Sequence, residues 1–203
     1  MKIICIGRNY ANHIEELKNE RPDEPVVFLK PDSSILLKQH PFVIPEFSND
    51  VHHEIELLVK INKVGKYIDA KFASSYYDEI GIGIDFTARD VQAKLKEKGL
   101  PWEKAKSFDG ATVLGDFVSK ELFSDVNAIN FELKKNGVSV QKGNSSWMLW
   151  KIDELIAHVS QYFTLKKGDI IFTGTPEGVS AVQPNDILEG FLENNRMFRI
   201  QVK

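Results

Sequence analysis

The stretch VHHEIELLVK, Val51 to Lys60, carries Glu54 and Glu56 inside an otherwise apolar run. Side chains alternate faces along a strand, so His52, Glu54, Glu56 and Leu58 share one face while His53, Ile55, Leu57 and Val59 share the other. Two carboxylates on one face, with Cβ atoms about 6–7 Å apart after two steps of strand rise, repel when buried unless a cation or a proton relieves them. The stretch therefore asks for a metal. Asp85 closes the run IGIGID just before a helix-forming segment, at a strand-to-helix junction where functional side chains are often displayed. Three carboxylates with no histidine or thiol ligand form a hard, all-oxygen site, which suits Mg2+, Mn2+ or Ca2+ better than zinc. Residue types alone leave a second reading open, in which the glutamates line a solvated strand face and Asp85 only flanks a helix.

The segment GRNYANHIEELKNE adds an acid–base pair. In a helix over Tyr10 to Lys18, His13 and Glu16 stand at i, i+3, near enough for the carboxylate to orient the imidazole and raise its basicity. That arrangement suits water activation. Its competitor is a chance His–Glu neighbour on a surface helix. Further on, LPWEKAKSFDG places Lys106 between Trp102 and Phe108, where a partly desolvated ammonium would meet a negative oxygen, against the plainer reading of a solvated charge.

The elements that must position these groups are mostly strands. Short apolar runs at KIICI, VVFLK, EIELLVKI, IGIGI, INFELK, DIIFTG and MFRIQV are broken by Gly, Pro and Asn turns. One helix is expected to open at Thr87, with Asp90 at capping-box spacing, and to stop at Gly99. A second runs from about Lys151 to Phe163, with Ile152, Leu155, Ile156, Val159 and Phe163 as its stripe. Asn136-Gly137 accepts the positive φ values of a type I′ hairpin. Strands outnumber helices without alternating with them, which predicts an α+β chain with a largely antiparallel or mixed sheet.

The 203 residues, 42% of them hydrophobic, suffice for one domain spanning 1–203. A formal charge of −3, with no basic block, argues against nucleic acid as a partner. No run approaches a membrane span and the amino terminus lacks a signal-peptide pattern, so a cytoplasmic protein is expected. Cys5, the one cysteine, sits in an apolar strand and reads as a core filler. Several familiar motifs fail by one residue. GIGIDF has Phe86 at the third glycine position of a dinucleotide loop, GNSSW has Trp147 where a nucleophile elbow ends in glycine, and HEIEL has Leu57 in place of a second histidine. TGTPEG lacks the lysine of a phosphate loop and reads as a strand end and turn.

The segments CIGRNYANHIEEL, FLKP, HHEIEL, GIDFTARDVQ, KGLPWEKAKSFDG and GDIIFTGTPEGV, in this order, resemble the fumarylacetoacetate hydrolase family. The likeness is greatest to its short branch of acylpyruvases, fumarylpyruvate hydrolases and oxaloacetate decarboxylases, and runs from Ile3 nearly to the carboxyl terminus. It implies a mixed β-roll with peripheral helices, a homodimer, and a divalent cation, Mg2+ or Mn2+. The family's metal ligands fall on Glu54, Glu56 and Asp85, and its water-activating pair on His13 and Glu16, within a lid segment. Arg89, Gln92, Lys106 and Thr175 match positions that contact substrate or developing negative charge, while Arg8 and Asn9 are expected to support the lid and entrance. Relatives commonly have threonine where this chain has Asn144.

The resemblance further implies hydrolysis of the C–C bond of acylpyruvates (2,4-dioxo acids) to pyruvate and a carboxylate, with a pyruvate enolate as the cation-stabilised leaving group. The nearest alternative is oxaloacetate decarboxylase or 2-hydroxyhepta-2,4-diene-1,7-dioate isomerase-type activity. Readings from other classes are a non-catalytic protein that binds a metal and an oxo acid, and a Ca2+-stabilised structural protein.

Overall fold

The computed structural model describes residues 1–17 and 20–203. The apolar runs assemble into a six-stranded mixed sheet ordered β2 (Val26–Lys30), β1 (Ile3–Gly7), β10 (Ile170–Phe172), β4 (Ile55–Ile61), β5 (Tyr77–Asp85) and β7 (Thr112–Ser119). Only β1 and β10 run parallel. Both faces are covered. Ile55, Leu57 and Val59 of β4 enter the larger core, whereas Leu58 joins Ile3, Cys5, Ile170 and Phe172 on the other side. A sheet buried on both faces reads as continuous apolar sequence, which explains the unbroken character of these runs.

A four-stranded antiparallel sheet follows the order β13 (Asn195–Gln201), β12 (Ile187–Leu192), β8 (Asn130–Lys135) and β9 (Val138–Asn144). The β8–β9 hairpin turns at Asn136 and Gly137, with φ of 54° and 81°, as their types predicted. A small third sheet is ordered β11 (Ser180–Ala181), β3 (Val51–His53) and β6 (Thr87–Ala88). Helices lie around these sheets: α1 (Ala11–Glu16), α2 (Ala70–Ala73), α3 (Arg89–Glu97), α4 (Glu103–Lys106) and α5 (Ile152–Tyr162). Among the described residues no helix is long and apolar enough to cross a membrane. The strand-rich α+β architecture is that of a mixed β-roll.

Two local expectations change. The stretch Val51 to Lys60 is not one strand: β3 belongs to the small sheet and β4 to the large one, and Glu54 is the joint between them. The helix after Asp85 begins at Arg89, because Thr87 and Ala88 pair as a strand with His52 and Val51. Asp90 accordingly forms no capping box with Thr87; its carboxylate accepts from Ser48 Oγ at 2.6 Å, Asn49 N at 3.2 Å and Val91 N at 2.9 Å. The far end is as expected, with Gly99 at φ 62° and Leu100 N donating to Leu95 O at 2.9 Å. Helix α5 buries Ile152, Leu155, Ile156 and Val159 of its predicted stripe. The expected helix over Tyr10 to Lys18 is α1, with Leu17 as its C-cap; Lys18 lies outside the described residues.

Candidate metal centre and active site

Strands β1 and β10 end side by side, and the residues that follow them are locked together. Asn9 donates to Thr173 O at 2.8 Å and Trp150 O at 3.1 Å, and its Oδ1 accepts from Trp150 N at 2.9 Å. Gly174, at φ 104°, leaves no room for a side chain, since a Cβ there would stand 2.8 Å from that of Asn9. This close approach turns the Gly174 N–H onto Glu56 Oε2 at 2.6 Å. Antiparallel pairing then brings the start of β4 against the end of β5, where Asp85 N donates to Glu54 O at 2.9 Å. The two glutamates and Asp85 thus meet.

Glu54, Glu56 and Asp85 are 4%, 2% and 0% exposed, and one ligand oxygen from each lies within 4.8 Å of the others. The two glutamates converge as expected, although Glu54 stands at the joint between β3 and β4 and not within one strand. Two buried lysines and the partly buried Arg89 surround them. Lys106 Nζ bridges Glu54 Oε2 at 2.7 Å and Asp85 Oδ2 at 2.6 Å, and Arg89 Nη2 reaches Glu54 Oε1. Lys30 Nζ donates to Asp85 Oδ1 at 2.6 Å and to Ala111 O at 2.7 Å. Burial works against the charge on Glu54, yet Lys106 and Arg89 outweigh it and hold the carboxyl well below its ordinary range. Among the described residues Glu56 has no such cation paired with it. Burial, with the charges of Asp85 and Glu54, pushes its carboxyl well above the ordinary value. Burial opposes the Lys106 ammonium, but Asp85 and Glu54 hold it above its ordinary range. Three converging, buried carboxylates of which one lacks a countercharge fit a hard divalent cation held through oxygen.

One cavity takes in this trio together with Arg8, His13, Arg89, Gln92, Lys106 and Thr175, whereas Glu16 and Asn9 stand outside its lining. Glu16 stands behind His13: its Oε2 is 3.2 Å from His13 Nδ1, and its Oε1 accepts from Gly178 N at 3.0 Å. With the carboxylate accepting, Nδ1 carries the proton and Nε2 the lone pair. Burial lowers the pKa of His13, so the imidazole is neutral at neutral pH. Gln92 Oε1 accepts from Arg89 Nη1 at 2.8 Å, and Thr175 Oγ1 accepts from Gln141 Nε2 at 2.9 Å. The aromatic wall at Lys106 differs from expectation. Phe28 lies 5.3 Å from its Nζ, with Trp102 edge-on to Phe28, whereas Phe108 packs on Phe42 and Phe47. Asn144 lies outside the cavity lining; its side chain meets Ser146 N and Asn130.

Two supporting residues were not singled out from sequence. Gln141, 2% exposed, accepts from Ile55 N at 3.1 Å, lies 2.9 Å from His53 Nδ1 and donates to Thr175, which ties the β3–β4 joint to the loop after β10. Lys30 reaches Asp85 because the chain after β2 returns to β7 through the Ile35–Thr112 bridge, which brings the two edges of the sheet together. A signal existed: a lysine inside the apolar run VVFLK, followed by proline, must find a carboxylate if the strand is buried. Lys30→Met keeps the volume and strands Asp85 Oδ1 and Ala111 O. It is expected to cost about 3 kcal/mol in urea unfolding, and a loss below about 0.5 kcal/mol would contradict this pairing.

The β-roll and its buried acidic trio define a class, and the comparisons agree: the family described as Fumarylacetoacetate (FAA) hydrolase C-terminal matches residues 2–200. The chain belongs to the fumarylacetoacetate hydrolase family, a family of enzymes. It is 40% identical over 201 residues to a mitochondrial oxaloacetate tautomerase of Mus musculus, covering 99% of this chain and 91% of the relative. It is 42% identical over 189 residues to a mitochondrial oxaloacetate decarboxylase of Dictyostelium discoideum, covering 93% and 87%. Among solved structures, the fumarylpyruvate hydrolase of Pseudomonas aeruginosa in complex with Mn2+ and pyruvate superposes with a TM-score of 0.93 at 29% identity, covering 100% of this chain and 89% of that one.

Proposed function

We propose that this chain is a divalent-cation-dependent enzyme that carries short 2-oxo acids through their enol form, cleaving the C–C bond of acylpyruvates with water. The observation that carries the reading is the meeting, in one cavity, of a carboxylate-oriented neutral imidazole, a buried ammonium and three converging carboxylates. When Mg2+ or Mn2+ is held by Glu54, Glu56 and Asp85, it supplies a Lewis acid for the carboxylate and 2-oxo oxygens of the substrate. His13 takes a proton from water while Glu16 steadies the imidazolium that forms, and the hydroxide adds to the acyl carbonyl. Lys106, with Gln92, stabilises the oxyanion. Collapse breaks the C–C bond; the acyl half leaves as a carboxylic acid and the other half as the enolate of pyruvate, which takes at C3 the proton that His13 removed from water and so restores the neutral imidazole. Arg89 and Thr175 position the substrate. No covalent bond to the protein forms.

A second reading is favoured by the 40% and 42% identical relatives, whose names concern oxaloacetate. Tautomerising oxaloacetate needs one base to move a proton between C3 and the enol oxygen, a role His13 fills, whereas decarboxylation needs no base at that step. Acetylpyruvate cleavage, oxaloacetate tautomerisation and oxaloacetate decarboxylation, measured with Mn2+ for wild type and His13→Ala, separate these roles. His13→Ala is expected to lose roughly 10²–10⁴-fold in the first two and much less in the third. An equal loss in all three would remove His13 as the base. Because burial depresses its pKa, the base form persists through neutral pH, and the acid limb of kcat/KM is expected below pH 6.5; a limb above it would contradict the assignment.

A further inference from the structure

Thr175 lines the active-site cavity, and behind it stands Gln141, which does not. The loop that carries Thr175 sits close on β9, where a Cβ at Gly178 would stand 2.3 Å from Val140 O. That approach puts the Gln141 amide in reach of the loop.

Backbone groups fix which way the amide faces. Ile55 N only donates, so the atom it meets at 3.1 Å is the amide oxygen; Pro176 O only accepts, so the atom 3.0 Å from it is the amide nitrogen. A flipped amide would lose both bonds. The oxygen also faces His53 Nδ1 at 2.9 Å, so that ring nitrogen carries a hydrogen. At the other side of the ring, the Lys135 ammonium, which only donates, meets Ser180 Oγ at 3.2 Å and Ala181 O at 3.0 Å. The Ser180 hydrogen therefore turns to His53 Nε2, at 2.8 Å. Every hydrogen bond from Lys135 to Gln141 thus has one direction.

The direction continues into the site. With one hydrogen of its amide nitrogen on Pro176 O, Gln141 gives the other to Thr175 Oγ1 at 2.9 Å, which makes the threonine hydroxyl an acceptor on its buried side. Among the described residues the hydroxyl's own hydrogen meets only Pro176 O, at 3.4 Å, beyond the range of a good O–H···O bond. That hydrogen is available to the cavity.

We infer that Gln141 is a positioning residue of the active site: by donating to Thr175 Oγ1 it sets that hydroxyl as a hydrogen-bond donor to an oxygen of the bound 2-oxo acid, and His53 holds the amide in the donating orientation. The inference rests on the 2-oxo acid reading above and adds how that contact is polarised. A donor fixed in advance suits an anionic oxygen, which accepts more strongly than a neutral one.

The test is a double-mutant cycle, with pyruvate binding to the Mn2+-loaded protein read by calorimetry. Thr175→Val, which keeps the shape and removes the hydroxyl, is expected to weaken pyruvate about tenfold, and Thr175→Ser to stay within about threefold of wild type. Gln141→Met is expected to weaken pyruvate about fivefold beside the native threonine and by less than about twofold in the Thr175→Val background. A residue that only held the fold would weaken it equally in both. Should Gln141→Met fail to fold, Gln141→Glu, which keeps an acceptor for Ile55 and His53 and loses the amide donor, takes its place with the same expectation. Equal losses in the two backgrounds, wild-type affinity in the Gln141 variant, or a Thr175→Ser variant as weak as Thr175→Val would overturn the polarising role and leave the 2-oxo acid reading standing. No pyruvate binding by the wild-type protein would overturn both.

Discussion

Replacing Asp85 with alanine is expected to abolish Mn2+ binding and turnover together and to lower stability by about 3–5 kcal/mol. The carboxylate is fully buried, and each of its oxygens holds a different lysine, Lys30 at 2.6 Å and Lys106 at 2.6 Å. Deleting it leaves two ammonium groups in the interior, and their mutual repulsion is added to the desolvation each has already suffered. Lys106 retains Glu54, but Lys30 retains only the Ala111 carbonyl. Urea unfolding measures the stability term, and Mn2+ titration followed by electron paramagnetic resonance measures the affinity. A variant of wild-type stability that still binds Mn2+ would show that Asp85 is neither the hinge of this charge network nor a ligand.

The second large effect concerns Glu56 and pH. Burial and the neighbouring charges of Asp85 and Glu54 raise its pKa well above the ordinary 4.5, so the folded chain without a cation keeps a proton there that the unfolded chain has lost. As pH rises from about 4.5 towards the raised value, the cation-free fold therefore loses stability, by up to about 1.4 kcal/mol per unit. A cation changes the sign. It binds the ionised carboxylate and must displace that proton, so Mn2+ affinity is expected to rise up to about tenfold per pH unit across the same window, with up to one proton released. Calorimetry in buffers of differing ionisation enthalpy counts the proton, and Glu56→Gln, which keeps an acceptor for Gly174 N–H, is expected to weaken binding and erase the pH slope. Mn2+ binding without proton release through that window would refute a protonated Glu56. Glu54 behaves oppositely. With Lys106 and Arg89 holding its pKa down against the effect of burial, its contribution is present above the ordinary value of 4.5 and disappears as pH falls through its lowered folded value.

The charge pattern of the site also explains how three buried carboxylates share one cavity. Lys30, Lys106 and Arg89 match the three carboxylates in number, and Lys106 and Arg89 pair with those carboxylates while also lining the cavity. Glu54, Asp85 and Lys106 each have two ionic partners, so replacing one member re-weights the others and single replacements there are not expected to add.

Much of this chemistry was legible along the chain. The expected convergence of Glu54 and Glu56 is present, helical spacing paired His13 with Glu16, and the backbone demands of turns marked Asn136-Gly137 and Gly99. These are short-range consequences of stereochemistry, which a segment obeys wherever it is placed. The resemblance then named the remaining members of the site. What it left dark were partners that depend on long-range closure. The break of one apolar run into two strands at Glu54 arises because Val51 and His52 pair with Ala88 and Thr87 while Ile55 pairs with Ile84. Periodicity is blind to that, since both halves keep the same alternation.

Sequence by itself determined the kinds of groups that face one another locally, the strand-rich class of the fold, and the hard-ligand character of the acidic trio. Tertiary structure alone decided that Lys30 crosses to Asp85, that Phe28 takes the place beside Lys106, that Gln141 braces Thr175, and that Arg8 is turned into the cavity. The physical reason is that a buried charge is tolerable only with its counterpart, and which counterpart reaches it is set by the closure of the sheet, an event spanning residues more than fifty positions apart.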